Sequence, residues 1–232
     1  MLSINTRNRG FTLIELMVAL VLGLVVIGGV MGVFISTYQA NAQNIKSVRL
    51  NEEMRAVMSL MTRDIRRAGG RGFDWTATID WYATYVFGTT GANWVVSRFD
   101  NDAPPNSCLL FAYDKDGDDV LDPADGFGYR LRANRVEMRK ASANCAATGV
   151  TNWESITDDK IANVLNLDFT ATTEPGVSGV AVRTVVITLE AGTHTRSTDP
   201  TNLAVADCAN NIDVVCRRLV ETIRVRNDPI LP

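Results

Sequence analysis

Asp114, Asp116, Asp118, Asp122 and Asp125 are crowded into the single segment Asp114-Lys-Asp-Gly-Asp-Asp-Val-Leu-Asp-Pro-Ala-Asp125. With Asp114 as first ligand, carboxylates fall at positions one, three, five, nine and twelve, and the Val120 carbonyl falls at seven, the register of a calcium-binding loop. Two positions depart from that pattern. Asp119 stands where a glycine makes the sharp turn, and Asp125 replaces the longer glutamate that chelates through both oxygens. The flanks differ too, because Leu109–Tyr113 reads as a strand and not a helix. Carboxylates this close repel one another unless a cation intervenes. A solvated Asp/Gly turn between two strands, holding no cofactor, is the first reading, and calcium is the candidate if the loop holds an ion.

Cys108, Cys145, Cys208 and Cys216 could hold zinc or form disulfides. No Cys-x-x-Cys pair occurs, and the only histidine, His194, stands in a threonine-rich stretch with no cysteine or carboxylate beside it. Four cysteines allow three connectivities; Cys108–Cys145 with Cys208–Cys216, one longer loop and one short one, is the pairing favoured here. No Gly-x-Ser-x-Gly, His-Glu-x-x-His, phosphate-binding loop or Cys–His arrangement is present, so no enzyme activity is expected. The chain of 232 residues carries a net charge of −3. That balance argues against generic nucleic-acid binding, which depends on neutralising phosphates.

Glu15 is the other residue with a chemical task. It precedes Leu16–Ile35, a run without a single charge. Twenty residues at about 1.5 Å each span roughly 30 Å, the hydrocarbon thickness of a bilayer. A carboxylate at the edge of such a helix is costly in lipid and needs a cationic partner. Arg7 and Arg9 lie before the run, which orients the N-terminal side towards the cytoplasm and the remainder across the membrane. No small-residue cleavage site follows the apolar run; the small residue, Gly10, comes before it. Cleavage there would remove Arg7 and Arg9 and keep the hydrophobic segment.

Gly10-Phe11-Thr12-Leu13-Ile14-Glu15 resembles the cleavage motif of the type IV pilin family at every position. The resemblance implies cutting between Gly10 and Phe11 by a prepilin peptidase, N-methylation of Phe11, and a role for Glu15 as the assembly glutamate paired with the Phe11 amine. Looser likeness to PilW-type minor pilins lies in Met61-x-x-Asp64-Ile-Arg66-Arg-Ala68-Gly69, Tyr113-Asp-x-Asp-Gly-Asp118, Gly128-Tyr-Arg-Leu131 and Trp153-x-x-Ile-Thr-Asp158. Many major pilins carry a proline within the apolar helix. Here the segment holds Gly23, Gly28, Gly29 and Gly32 instead, a packing face for other helices or a point where the helix stretches.

These residues must be positioned by a long helix and a sheet. Ile45, Val48, Met54, Val57, Met58, Met61, Ile65 and Ala68 recur at three- and four-residue steps, so Phe11 to about Ala68 reads as one helix. Gly69-Gly70 ends it, with Arg66 and Arg67 in the last turn. Strands are expected at Tyr85–Phe87, Trp94–Ser97, Cys108–Tyr113, Gly128–Arg132, Arg135–Arg139, Val164–Phe169, Thr184–Glu190 and Leu219–Val225, with Ala133-Asn134 as a hairpin turn. Loops are expected at Thr173–Gly179, Gly192–Pro200 and Ala204–Asn211. The fold class is α+β, a long N-terminal transmembrane helix packed on an antiparallel sheet. The organisation is a leader at 1–10, a membrane half of the helix at 11–35, an amphipathic periplasmic half at 36–70 and a globular β domain at 71–232.

Trp75, Trp81, Tyr82 and Trp94 are read as packing residues. Arg130, Arg132, Arg135, Arg139 and Lys140 are read as a solvated strand face. The resemblance implies a minor pilin of a type IV pilus, in the bacterial inner membrane and in the assembled filament. Its implied partners are other minor and major pilins, the prepilin peptidase and the inner-membrane assembly platform. The rival functions are a minor pseudopilin of type II secretion and a tip protein binding surfaces or DNA.

Overall fold

A computed structural model describes residues 10–68, 95–97, 106–117, 125–140, 144–146, 151–173, 182–195, 203–211 and 213–225. Two compact units divide between Ile45 and Lys46 and are described separately. Helix α1, Leu13–Ile65, contributes to both. In the first unit its residues through Ile35 expose their apolar side chains almost without exception. This helix is long and apolar enough to cross a membrane.

In the second unit, α1 buries Leu50, Met54, Val57, Met58, Met61 and Ile65, followed by Ala68 beyond its end. The steps of three and four set these residues on one stripe, which faces the core. The stripe starts later than periodicity suggests. Ile45 and Val48 are exposed, because burial on this helix begins only at Leu50. The last turn tightens, with Arg67 N–H donating to Asp64 O and Ala68 N–H to Ile65 O, which satisfies carbonyls that an α-helix end leaves open.

The strands are β1 (Val95–Ser97), β2 (Cys108–Ala112), β3 (Gly126–Arg132), β4 (Arg135–Arg139), β5 (Trp153–Ser155), β6 (Asn163–Thr173), β7 (Val182–His194) and β8 (Val214–Arg224), with a one-turn helix α2 (Asp207–Asn210) before β8. All pairings are antiparallel, as expected, but they make two sheets, β1-β2-β3-β4-β5 and β6-β7-β8. Among the described residues, two backbone bonds tie β6 to segments flanking strands of the first sheet: Val164 N–H donates to Asn134 O in the β3–β4 turn and Phe169 N–H to Asn106 O ahead of β2. One core lies under both sheets. Leu109, Phe111, Tyr129, Leu131 and Val136 from the first meet Leu167, Phe169, Val185, Ile187, Leu189 and Ile223 from the second, around the α1 stripe.

The β3–β4 hairpin turns at Ala133-Asn134, both with positive φ (47° and 59°). That is the two-residue turn whose twist suits antiparallel strands. Strand β7 corrects the expected loop at Gly192–Pro200, since it runs on through His194. Gly192 pairs with both Asn163 and Cys216, and a Cβ there would lie 3.0 Å from Cys216 Sγ. The glycine is there for space beside a disulfide, not to end the strand. Tyr85–Phe87 and the aromatics Trp75, Trp81, Tyr82 and Trp94 lie outside the described residues, apart from the strand that begins at Val95.

Candidate functional site

Three chemical features can be built from the residues upward. The first is the start of α1. Thr12 precedes the helix, and its N–H and hydroxyl both donate to Glu15 Oε2 at 3.0 Å. In return Glu15 N–H donates to Thr12 Oγ1 at 3.3 Å. Thr-x-x-Glu is the capping box, satisfying donors that the first helical turn leaves open. The sequence reading gave Glu15 the Phe11 amine of the same or a neighbouring subunit as partner and missed Thr12, although the Thr-x-x-Glu spacing announces it. Glu15 is exposed, one turn before a helix face made of Val18, Ala19 and Leu22.

The second is the aspartate segment. Antiparallel pairing of β2 with β3 sets Ala112 opposite Gly126, which returns Asp125 beside Asp114 and Asp116. Carboxylate oxygens of these three residues lie within 4.8 Å of one another. Asp125 is buried, and its carboxylate accepts the Lys115 N–H at 2.9 Å. Asp114 Oδ1 accepts the Gly117 N–H at 2.6 Å, and Gly117 has a φ of 81°. Oxygens across a calcium shell of 2.3–2.6 Å radius lie about 5 Å apart, so three of the expected ligands have a fitting separation. Asp118 and Asp122 lie outside the described residues.

The third is the covalent frame. Cys108 pairs with Cys145 and Cys208 with Cys216, Cα–Cα 6.0 and 5.6 Å, the connectivity expected from loop lengths. Among the described residues no cysteine is free. Cys108, Cys145, Leu110 and Trp153 form a small buried cluster of their own.

The strand face read as solvated, Arg130 to Lys140, is where the structure departs most from the sequence reading. Arg130 is fully buried. Its Nε–H donates to Glu137 Oε2 at 2.7 Å, and Nη2 sits 2.6 Å from the same oxygen as an ion pair. Nη1 donates to the Cys145 carbonyl at 2.7 Å, and the guanidinium lies 4.2 Å from the Trp153 ring centroid. Burial pulls the Arg130 pKa below its ordinary value, and Glu137 opposes that shift. The other cations are mostly neutralised: Arg132 lies near Glu137, Arg135 on Asp159 and Lys140 on Glu154. Burial lowers the Arg139 pKa as well. Buried cations require such partners. Similarly, the Tyr129 hydroxyl donates to buried Asp64 at 2.5 Å, and burial raises the phenol's pKa before that bond adds to it. Asp64, Tyr129, Arg130 and Trp153, quoted above as parts of separate motifs, thus serve as internal ties.

A family model described as the prokaryotic N-terminal methylation motif matches residues 5–31. The motif, the apolar helix and the antiparallel sheets define the class, a type IV pilin-like protein. A second model, described as prepilin peptidase-dependent protein B, matches residues 43–206, and the chain belongs to that family. A type IV-like pilin from Thermus thermophilus aligns over 77% of this chain and 98% of its own, with 11% identity and a TM-score of 0.46. No curated protein matches the chain.

Proposed function

We propose that the chain is a minor pilin, a structural subunit of a priming or tip complex that promotes assembly of a type IV pilus. The observation that carries this reading is the methylation motif running directly into a helix whose apolar side chains lie exposed from Leu13 to Ile35. Such a surface needs lipid or other apolar helices around it. The steps follow from the residues. Arg7 and Arg9 hold the leader on the cytoplasmic side of the inner membrane, a prepilin peptidase cuts after Gly10, and the new Phe11 amine is methylated. The helix waits in the bilayer until the assembly platform moves it into a bundle of pilin helices. There Glu15 exchanges its cap for a neighbour's Phe11 amine, and the β domain, on the periplasmic side, meets adjacent major and minor pilins.

Co-expression with a prepilin peptidase should shorten the chain by the segment ending at Gly10 and add a methyl group at Phe11, read by mass spectrometry of the intact protein. Gly10→Val should block both changes. A wild-type chain that keeps its leader beside an active peptidase would overturn the reading.

In the same setting Asp114, Asp116 and Asp125 are proposed to hold calcium, completed by ligands from the following residues. Saturating calcium should raise the melting temperature of the full chain in detergent, by roughly 5–10 °C at a hundredfold excess over Kd. Asp116→Asn, at an exposed position, should remove that rise with little effect on the calcium-free melt. Equal melting of the wild-type chain with calcium and with chelator would leave a solvated turn.

A further inference from the structure

Among the described residues, β8 pairs with β7 on one side and with nothing on the other. It spans Val214–Arg224, a long strand for an open edge. The opposite margin of its sheet, β6, meets Asn106, ahead of β2, and Asn134, in the β3–β4 turn, through backbone bonds. Along β8, Val215, Leu219 and Ile223 turn to the core, while Arg217, Arg218, Val220, Thr222 and Arg224 are exposed.

The charge on this edge runs against that of the chain. The chain is net acidic at −3, yet β8 carries Arg217, Arg218 and Arg224 against the single carboxylate Glu221. Arg218 pairs with Glu190 on β7 at 3.1 Å, and Glu221 lies 4.0 Å from Arg66. Arg217 and Arg224 have no ionic partner among the described residues. They stand seven positions apart, on opposite faces of the strand. That is about 24 Å of edge. Between them lie Leu219, exposed Val220, Thr222 and buried Ile223, with Arg218 and Glu221 engaged by Glu190 and Arg66.

We propose that the open edge of β8 receives an extended segment of another polypeptide as an added antiparallel strand, with carboxylates seven residues apart flanking an apolar and threonine-rich centre. The backbone of the incoming strand would satisfy the outward N–H and C=O groups of β8, and its carboxylates would meet Arg217 and Arg224. A second copy of β8 fits less well, since it brings the same surplus of positive charge. Arginines on an edge also guard against strand-to-strand aggregation, a role that predicts no ligand at all.

The test uses the full chain in detergent micelles and a fluorescent peptide of six alternating valines and threonines between two glutamates. A lysine-ended peptide of the same centre is the control. Fluorescence anisotropy should show the glutamate-ended peptide binding at least tenfold more tightly, less so as salt is added. Hydrogen exchange should then slow at amides of Val214–Arg224. The double variant Arg217→Glu/Arg224→Glu, which alters exposed side chains only, should keep its melting temperature and reverse the preference. Equal binding of both peptides, protection outside β8, or no binding to either would each overturn the proposal. So would slowed exchange in β8 that depends on protein concentration and needs no peptide, because a second copy would then be the occupant.

Discussion

Glu15→Gln should leave the chain inserted in the membrane and cut after Gly10, yet cut its incorporation into filaments roughly tenfold to a hundredfold. The choice of glutamine follows from the capping box. Glu15 accepts both the N–H and the hydroxyl of Thr12, and a glutamine amide oxygen accepts the same pair. The helix start is therefore preserved while the negative charge is lost. A charge-assisted contact is worth about 1.5–3 kcal/mol, which is the source of the expected fold-change. Glu15→Ala should lose the cap as well, and should fall at least as low. Sheared filaments compared with the membrane fraction by immunoblotting give the measurement. Wild-type incorporation of the glutamine variant would mean that Glu15 acts through its cap alone, and the proposed pairing with the Phe11 amine would be abandoned.

Glu137→Ala should be the most damaging single change within the β domain. Arg130 is fully buried, and Glu137, with its side chain 14% exposed, holds a carboxylate oxygen 2.6 Å from its Nη2. Removing that partner leaves a buried guanidinium whose bond to the Cys145 carbonyl and contact with the Trp153 ring supply no negative charge. Breaking a buried pair from one side costs about 3–5 kcal/mol, a large share of a domain's stability. Replacing both members is a different case, because no charge is stranded. Arg130→Met with Glu137→Leu should recover most of the loss, since both substitutes fill comparable volume and position 130 lies opposite Cys108 and against the Trp153 ring. Urea unfolding of the parent, Arg130→Met, Glu137→Leu and the double variant, with Glu137→Ala beside them, followed by tryptophan fluorescence, reads the coupling directly. A Glu137→Ala protein within about 1 kcal/mol of its parent would show that water reaches Arg130 when the carboxylate is gone.

The features legible in the sequence share one property: they are set by residues close together in the chain. Leu16–Ile35 is apolar throughout, and Met54 to Ile65 repeats at helical steps, so α1 could be read from composition and period. Ala133-Asn134 between two alternating runs announced a hairpin, and both residues adopt the positive φ it demands. Of three possible disulfide connectivities, the structure has the one favoured above. Thr12 and Glu15, three residues apart, carry an equally local signal, the capping box, beside the charge of Glu15.

What the tertiary structure decided depends on residues far apart. Arg130, Arg132, Arg135, Arg139 and Lys140 look alike in an alternating pattern, and nothing local tells which of them is enclosed. Arg130 is buried because Glu137, the Cys145 carbonyl and Trp153 converge on it from β4, the disulfide loop and β5. Asp64 tolerates burial because Tyr129, sixty-five positions later, donates to it. The register of β2 against β3 brings Asp125 back to Asp114, and Gly192 carries β7 onwards because Cys216 needs the space of a missing Cβ. Helical period and turn chemistry are short-range properties, which the sequence by itself determined. Burial of a charge is a long-range property, settled only when the folded chain supplies every partner at once.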